Sequence, residues 1–139
     1  MNHKELEEGN QLALDFDKIS KIVHNGVNVV PVVVQDQKTK DVLILAYTNL
    51  EALQYTLQNN IVAFWSTSRN ELWKKGETSG NRLKLIEVRV NCEQNSLLYL
   101  VELEGTGSCH TLDSRGKFRH SCYYRKIEKE RLEKIAGVE

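Results

Sequence analysis

Valine fills both alternating sets of positions across residues 27–36, which predicts a strand buried on both faces. Pro31 lies inside that run, and because proline cannot donate to a ladder it predicts an edge position or a bulge. Residues 35–41 are polar and read as a turn. Residues 42–47 are apolar again, so the two runs are expected to form a hairpin. Thr48 then opens a helix, with Glu51 at capping-box spacing and Leu50, Leu53 and Leu57 as one stripe expected to face the core. Asn59-Asn60 ends it, and residues 61–65 form a further apolar segment. In residues 83–92, Ile86, Val88, Val90 and Cys92 share one face while Glu87, Arg89 and Asn91 share the other. Residues 97–103 make the next strand, 105–119 a long loop, 123–127 a short last strand and 128–135 a charged helix. Residues 3–22 have imperfect helical spacing and read as a helical or irregular arm.

The strands adjoin one another instead of alternating with helices, which predicts a sheet-dominated α+β fold over a doubly wound one. At 139 residues the chain suits one domain, with a core over residues 12–127 and flanking arms at 1–11 and 128–139. Nineteen basic and nineteen acidic residues cancel, so no global field draws the protein to nucleic acid or an anionic membrane. The longest apolar runs fall far short of the roughly 20 residues a membrane helix needs. The charged first residues lack the apolar stretch of a secretory signal, so a cytoplasmic location with reduced thiols is expected.

Three cysteines, Cys92, Cys109 and Cys122, leave one over in any disulfide scheme, which favours metal binding or catalysis. They form no CxxC knuckle, and Cys92 also reads as one more apolar position on a strand face. If the three thiolates converge, they leave a fourth tetrahedral position open for water, as in catalytic zinc sites. His110 adjoins Cys109, and neighbouring side chains point apart, so it suits a general acid/base better than a ligand. Asn91, Glu93 and Asn95 at i, i+2 and i+4 could offer oxygens to Mg²⁺, or could simply finish a polar strand end.

Residues 66–82 carry few aliphatics and many hydroxyl, basic and glycine positions, as in a solvated hairpin or a ligand surface. Arg69, Lys74, Lys75 and Arg82 can contact phosphate, Gly76 and Gly80 permit close backbone approach, and Trp65 or Trp73 can pack against a base.

The run from Phe64 through Gly80 resembles the signature of the phosphoribosyl-AMP cyclohydrolase family, with W-S-x-S-R, L-W-x-K-G and T-S-G all matched. Cys109-His110-Thr111 is similar to its Cys-His-Thr, and Ser121-Cys122-Tyr123-Tyr124-Arg125 to its Ser-Cys-Phe-Tyr-Arg. The resemblance implies a hydrolase of histidine biosynthesis that adds water at purine C6 and cleaves the N1–C6 bond. It implies zinc on Cys92, Cys109 and Cys122, His110 as catalytic histidine, and substrate contacts from Trp65, Ser66, Ser68, Arg69, Trp73, Lys75, Gly76, Thr78, Ser79 and Gly80. It further implies Mg²⁺ at Asn91, Glu93 and Asn95, and an intertwined homodimer with shared active sites. Two departures stand out. Asn91-Cys92-Glu93-Gln94-Asn95 replaces the family's carboxylate-rich Asp-Cys-Asp-x-Asp, and residues 112–120 lengthen the turn between Cys109 and Cys122. A relative turned to another purine-like nucleotide, or a non-catalytic zinc- or nucleotide-binding module, are the alternative readings.

Overall fold

The computed structural model describes residues 1–135. Its elements are α1 (His3–Glu8), α2 (Lys18–His24), β1 (Val30–Asp36), β2 (Val42–Thr48), α3 (Leu50–Asn59), β3 (Ala63–Ser66), β4 (Glu71–Lys74), β5 (Leu83–Val90), β6 (Leu97–Leu103), β7 (Arg125–Glu128) and β8 (Arg131–Lys134). The central sheet runs β2-β1-β6-β5, and β3-β4 and β7-β8 are separate hairpins. β1 pairs antiparallel with β2 and parallel with β6, which pairs antiparallel with β5. Val32, Val34, Leu43, Val62, Phe64, Leu83, Tyr99 and Val101 close the core without exposed surface. Among the described residues, no helix is long and apolar enough to cross a membrane.

The sheet-dominated α+β architecture agrees with the sequence pattern, but several details differ. β1 is an inner strand, not an edge. Pro31 is tolerated because the parallel ladder with β6 begins only at Val32, so the missing N–H faces no partner strand there. Asn49, not Thr48, caps α3, its side chain accepting from the Ala52 amide at 2.9 Å. Leu50 and Leu57 lie exposed, and of the leucine stripe only Leu53 packs against the core. Ala52 and Thr56, one turn apart, pack inward instead. The Thr56 hydroxyl accepts from the Ala63 amide at 3.0 Å, and this short side chain ties the helix closely to β3.

A bulge between Leu85 and Glu87 breaks the alternation read across residues 83–92. Leu85 and Val88 face the core, while Ile86 and Val90 are exposed and Cys92 lies in the turn beyond β5. The expected helix at 128–135 is the β7-β8 hairpin. Lys129 supplies a left-handed φ of 57° at the turn, and Leu132 sits opposite Ile127. Tertiary contacts override the charged segment's helix propensity here: the Leu132 amide donates to the Asn10 carbonyl, and Gln11 bridges to Arg131.

The residue 1–11 arm is therefore part of the fold. Arg119 is buried, and its guanidinium forks onto the Glu8 carboxylate at 2.7 and 2.8 Å while stacking over the Tyr124 ring at 4.1 Å. Lys134 also reaches Glu8. The Tyr124 hydroxyl donates to the Glu7 carbonyl, and Arg125 donates to the carbonyls of Leu6 and Gly9. Hydrogen bonding from Arg119 holds the Glu8 carboxyl down at about 2, from an ordinary 4.5. The ion pair's stabilisation is thus complete above pH 4.5 and fades as pH falls toward 2. Glu8→Ala leaves the buried cation short of its carboxylate and is expected to lower stability by about 2 kcal/mol in urea denaturation at pH 7, below the roughly 3–5 of a fully buried pair. The difference between the two proteins should shrink in the same titration at pH 3.

Candidate active site

The β3-β4 hairpin divides the signature segment into two faces. Phe64 sits opposite Trp73 and their rings lie 5.5 Å apart, so Trp73 is anchored to the core. Trp65, one residue on, projects to the other side of the strand, and its indole N–H donates to Asn70 Oδ1 at 3.1 Å. Ser66 accepts from the Arg69 amide and its hydroxyl lies 3.4 Å from that of Ser68. These residues shape the β3-β4 turn.

Beyond β4 the chain doubles back and forms one wall of a cleft of about 360 Å³. Arg69, Trp73, Lys75, Gly76, Thr78 and Ser79 line it together with Cys109 and His110. The cleft thus brings together these eight of the residues singled out in the sequence, while Trp65, Ser66, Ser68, Gly80, Cys122, Cys92, Asn91, Glu93 and Asn95 are not in its lining. A larger hollow of about 610 Å³, bordered by Asp41, Lys117, His120 and Tyr123, holds none of them. Gly76 has a φ of +79°, and a Cβ there would lie 2.3 Å from the Asn81 backbone, so its role is a close chain crossing. That crossing buries Lys75, whose ammonium donates to the Asn81 carbonyl at 3.3 Å. Burial pushes the Lys75 pKa down, while Cys122 and Cys109 nearby push it back up.

Cys109 and Cys122 form a sulfur pair. Cys122 approaches from the segment before β7, fixed by its amide donating to the Leu43 carbonyl at 2.8 Å. A hydrogen bond from the Cys122 thiol is the main cause that draws Cys109 down to about 5, aided by the Thr111 hydroxyl 3.0 Å away. Cys122 is pushed up correspondingly, because one proton serves both sulfurs. A thiolate beside a second sulfur suits a soft divalent metal such as zinc. Cys92 does not join them. It is exposed at the end of β5, the edge strand opposite β2, and among the described residues no three His, Cys, Asp or Glu side chains of one chain meet to hold a metal. One chain therefore presents two sulfurs of the expected three.

His110 projects into solvent at the cleft mouth, and its Nε2 is paired with Glu7. The model of the phosphoribosyl-AMP cyclohydrolase family matches residues 44–124, which span the cleft lining and all three cysteines but not Glu7. The chain belongs to that family. It is 49% identical over 100 residues to the phosphoribosyl-AMP cyclohydrolase of Archaeoglobus fulgidus, covering 72% of this chain and 86% of that protein. It is 46% identical over 117 residues to that of Methanosarcina barkeri, covering 84% and 82%. The histidine biosynthesis bifunctional protein HisIE of Aquifex aeolicus is 41% identical over 114 residues, which span 82% of this chain and 53% of that longer protein.

Against the family pattern, the amide-rich stretch at 91–95 is a tight turn, not an extended strand. Asn91 Oδ1 accepts from the Asn95 and Ser96 amides, its Nδ2 donates to Asn95 Oδ1, and Asn95 Nδ2 reaches Glu93 at 3.4 Å. The oxygens read as Mg²⁺ donors are thus largely occupied within the turn. The 112–120 insertion folds on itself. Leu112 bridges to Phe118, and Asp113 Oδ1 accepts from the amides of Arg115 and Lys117. Its Arg119 is directed at Glu8 and Lys117 borders the larger hollow, so neither lies along the cleft; Phe118 does.

Sequence reading overlooked Asn81, Phe118 and Glu7. Asn81 is buried, its Oδ1 accepting from the Thr106 amide while its carbonyl holds Lys75. A lone Asn in a polar stretch carries no signal for that. In metal-free protein, thiolate absorbance at 240 nm is expected to fall as pH is lowered through about 5. The Cys109→Ser variant should lack that step, and Thr111→Val should move it upward.

Proposed function

We propose that the protein is a zinc-dependent phosphoribosyl-AMP cyclohydrolase of histidine biosynthesis, working as a homodimer whose active sites are completed across the subunit boundary. The reading is carried by one observation: the family's signature segment and its Cys-His pair line a single cleft. Cys109 and Cys122 would hold zinc from one subunit and Cys92 from the other, leaving a fourth position open. When bound, zinc supplies a nucleophile at neutral pH by lowering the pKa of water to about 7.

The chain's own residues do the rest. Arg69, Thr78 and Ser79 bind phosphate at the cleft rim, and the half-buried Trp73 offers an apolar surface to the purine. Buried Lys75 offsets negative charge on the paired sulfurs. His110 moves the proton: oxygen from water adds at C6, the N1–C6 bond breaks, and N1 leaves carrying a proton. Mg²⁺ at Asn91, Glu93 and Asn95 finds little support in a turn already bonded to itself. The same turn favours a second reading, a family member acting on another purine-like nucleotide.

A second subunit also accounts for Cys92 and for apolar surface left open on one chain, including Phe16, Val23 and Leu50. Purified protein is expected to carry about one zinc per chain and to open phosphoribosyl-AMP, followed by absorbance. Cys92→Ser and Cys109→Ser should each be inactive alone. Co-expressed, they should regain about a quarter of the activity, because half the dimers are then mixed and each holds one intact site. Inactivity of the mixture would rule out the shared site, and turnover only of another purine nucleotide would establish the second reading.

A further inference from the structure

We propose that Glu7 is a positioning residue for His110, and that α1 with the 112–120 insertion forms a support that holds it there. This rests on the reading of His110 as the proton-transfer group of a cyclohydrolase. His110 lines the cleft with a side chain 81% accessible to solvent. A side chain so free samples several rotamers, whereas proton transfer demands one orientation at hydrogen-bond reach of the reacting atom. Glu7 is the partner that constrains it. Its carboxylate meets the ring at Nε2, which directs the opposite nitrogen, Nδ1, to the remaining work.

Glu7 is itself held by contacts that do not pass through His110. Its carbonyl accepts from the buried Tyr124 hydroxyl at 2.7 Å, and its neighbour Glu8 is forked by Arg119. Arg125 grips the carbonyls on either side of this pair, at Leu6 and Gly9. Arg119 also accepts the Cys109 amide on its own carbonyl at 3.0 Å and donates its amide to the Thr111 carbonyl at 3.0 Å. The residue that anchors Glu8 from below therefore fixes the backbone on both sides of His110. Base and orienting carboxylate are mounted on one rigid unit, although 103 residues separate them in sequence. The insertion gains a purpose from this: it carries Arg119 to the place where the arm can be caught.

Glu7→Ala should lower kcat for phosphoribosyl-AMP about tenfold, inside the roughly 10²–10⁴ that acid–base catalysis contributes, with KM and bound zinc little changed. Glu7→Gln, which keeps an acceptor at the same reach, should recover most of the rate. In a His110→Ala background, Glu7→Ala should bring no further loss. Unchanged kcat in Glu7→Ala, a Gln variant no better than Ala, or an equal loss without His110 would each overturn the positioning role. Nitrogen NMR of the His110 ring gives a readout independent of turnover. Its Nε2 signal should shift in Glu7→Ala, and an unmoved signal would also refute the contact. If Glu7→Ala moves that signal but the unsubstituted protein opens no phosphoribosyl-AMP, the functional reading fails and the Glu7–His110 contact survives.

Discussion

A guanidinium removed from water must find an anion, and the burial of Arg119 sets the terms for the site around it. Its fork onto Glu8 brings the first residues of the chain against the last hairpin. Its backbone pairs with Cys109 and Thr111, so the loop segment that presents the Cys109 sulfur and His110 is registered by the same residue. Tyr124 is sandwiched near Arg119 and Arg125, and its hydroxyl reaches α1. Two ends of the polypeptide and one insertion are thus fastened at one point beside the cleft. Neither α1, with six residues and no buried side chain, nor the short β7-β8 hairpin could be stable alone.

At the Cys109 wall of the cleft, electrostatics turn on the sulfur pair. Two thiols in contact share a proton more readily than either gives one up alone, so one is ionised and the other is held protonated. Lys75 is buried against them by the Gly76 crossing over Asn81. An ammonium in such a place is disfavoured by desolvation and favoured by the adjacent sulfurs, so each group's charge depends on the other's. A divalent cation would displace the shared proton and satisfy both sulfurs at once.

Legibility in the sequence followed the range of the interactions. β1, β2 and β6 were readable from runs of Val, Leu and Ile because burial imposes a local period. The bulge at Ile86 was not, since one extra residue leaves composition unchanged while reversing the faces after it. The helix expected at 128–135 failed for a related reason: alternating charge suits either element, and the choice was made by Asn10 and Gln11 from the opposite end of the chain. The cleft was legible chiefly through resemblance. Residue types at 69–79 suggested phosphate contacts, but nothing local separated Trp73, which lines the cleft, from Trp65, which does not. Glu7 was hidden altogether, because a carboxylate in a charged amphipathic arm has no mark of its eventual partner.

The position of Cys92 constrains any account of the metal. Cys122 is bonded to β2, one edge of the central sheet, and Cys92 follows β5, the other edge. No rotamer change carries a thiol across a packed sheet, so a three-sulfur centre requires a second chain. A two-fold symmetric pair would solve the geometry with no new motif: each subunit would receive a sulfur where it has two and donate one where it has a spare. The amide turn from Asn91 to Asn95 then acquires a structural meaning, since its internal hydrogen bonds fix the loop that presents the exposed thiol. What such a centre would need from this loop is a sulfur at a defined place, and the hydrogen bonds of Asn91 to Asn95 and Ser96 hold the turn that carries it.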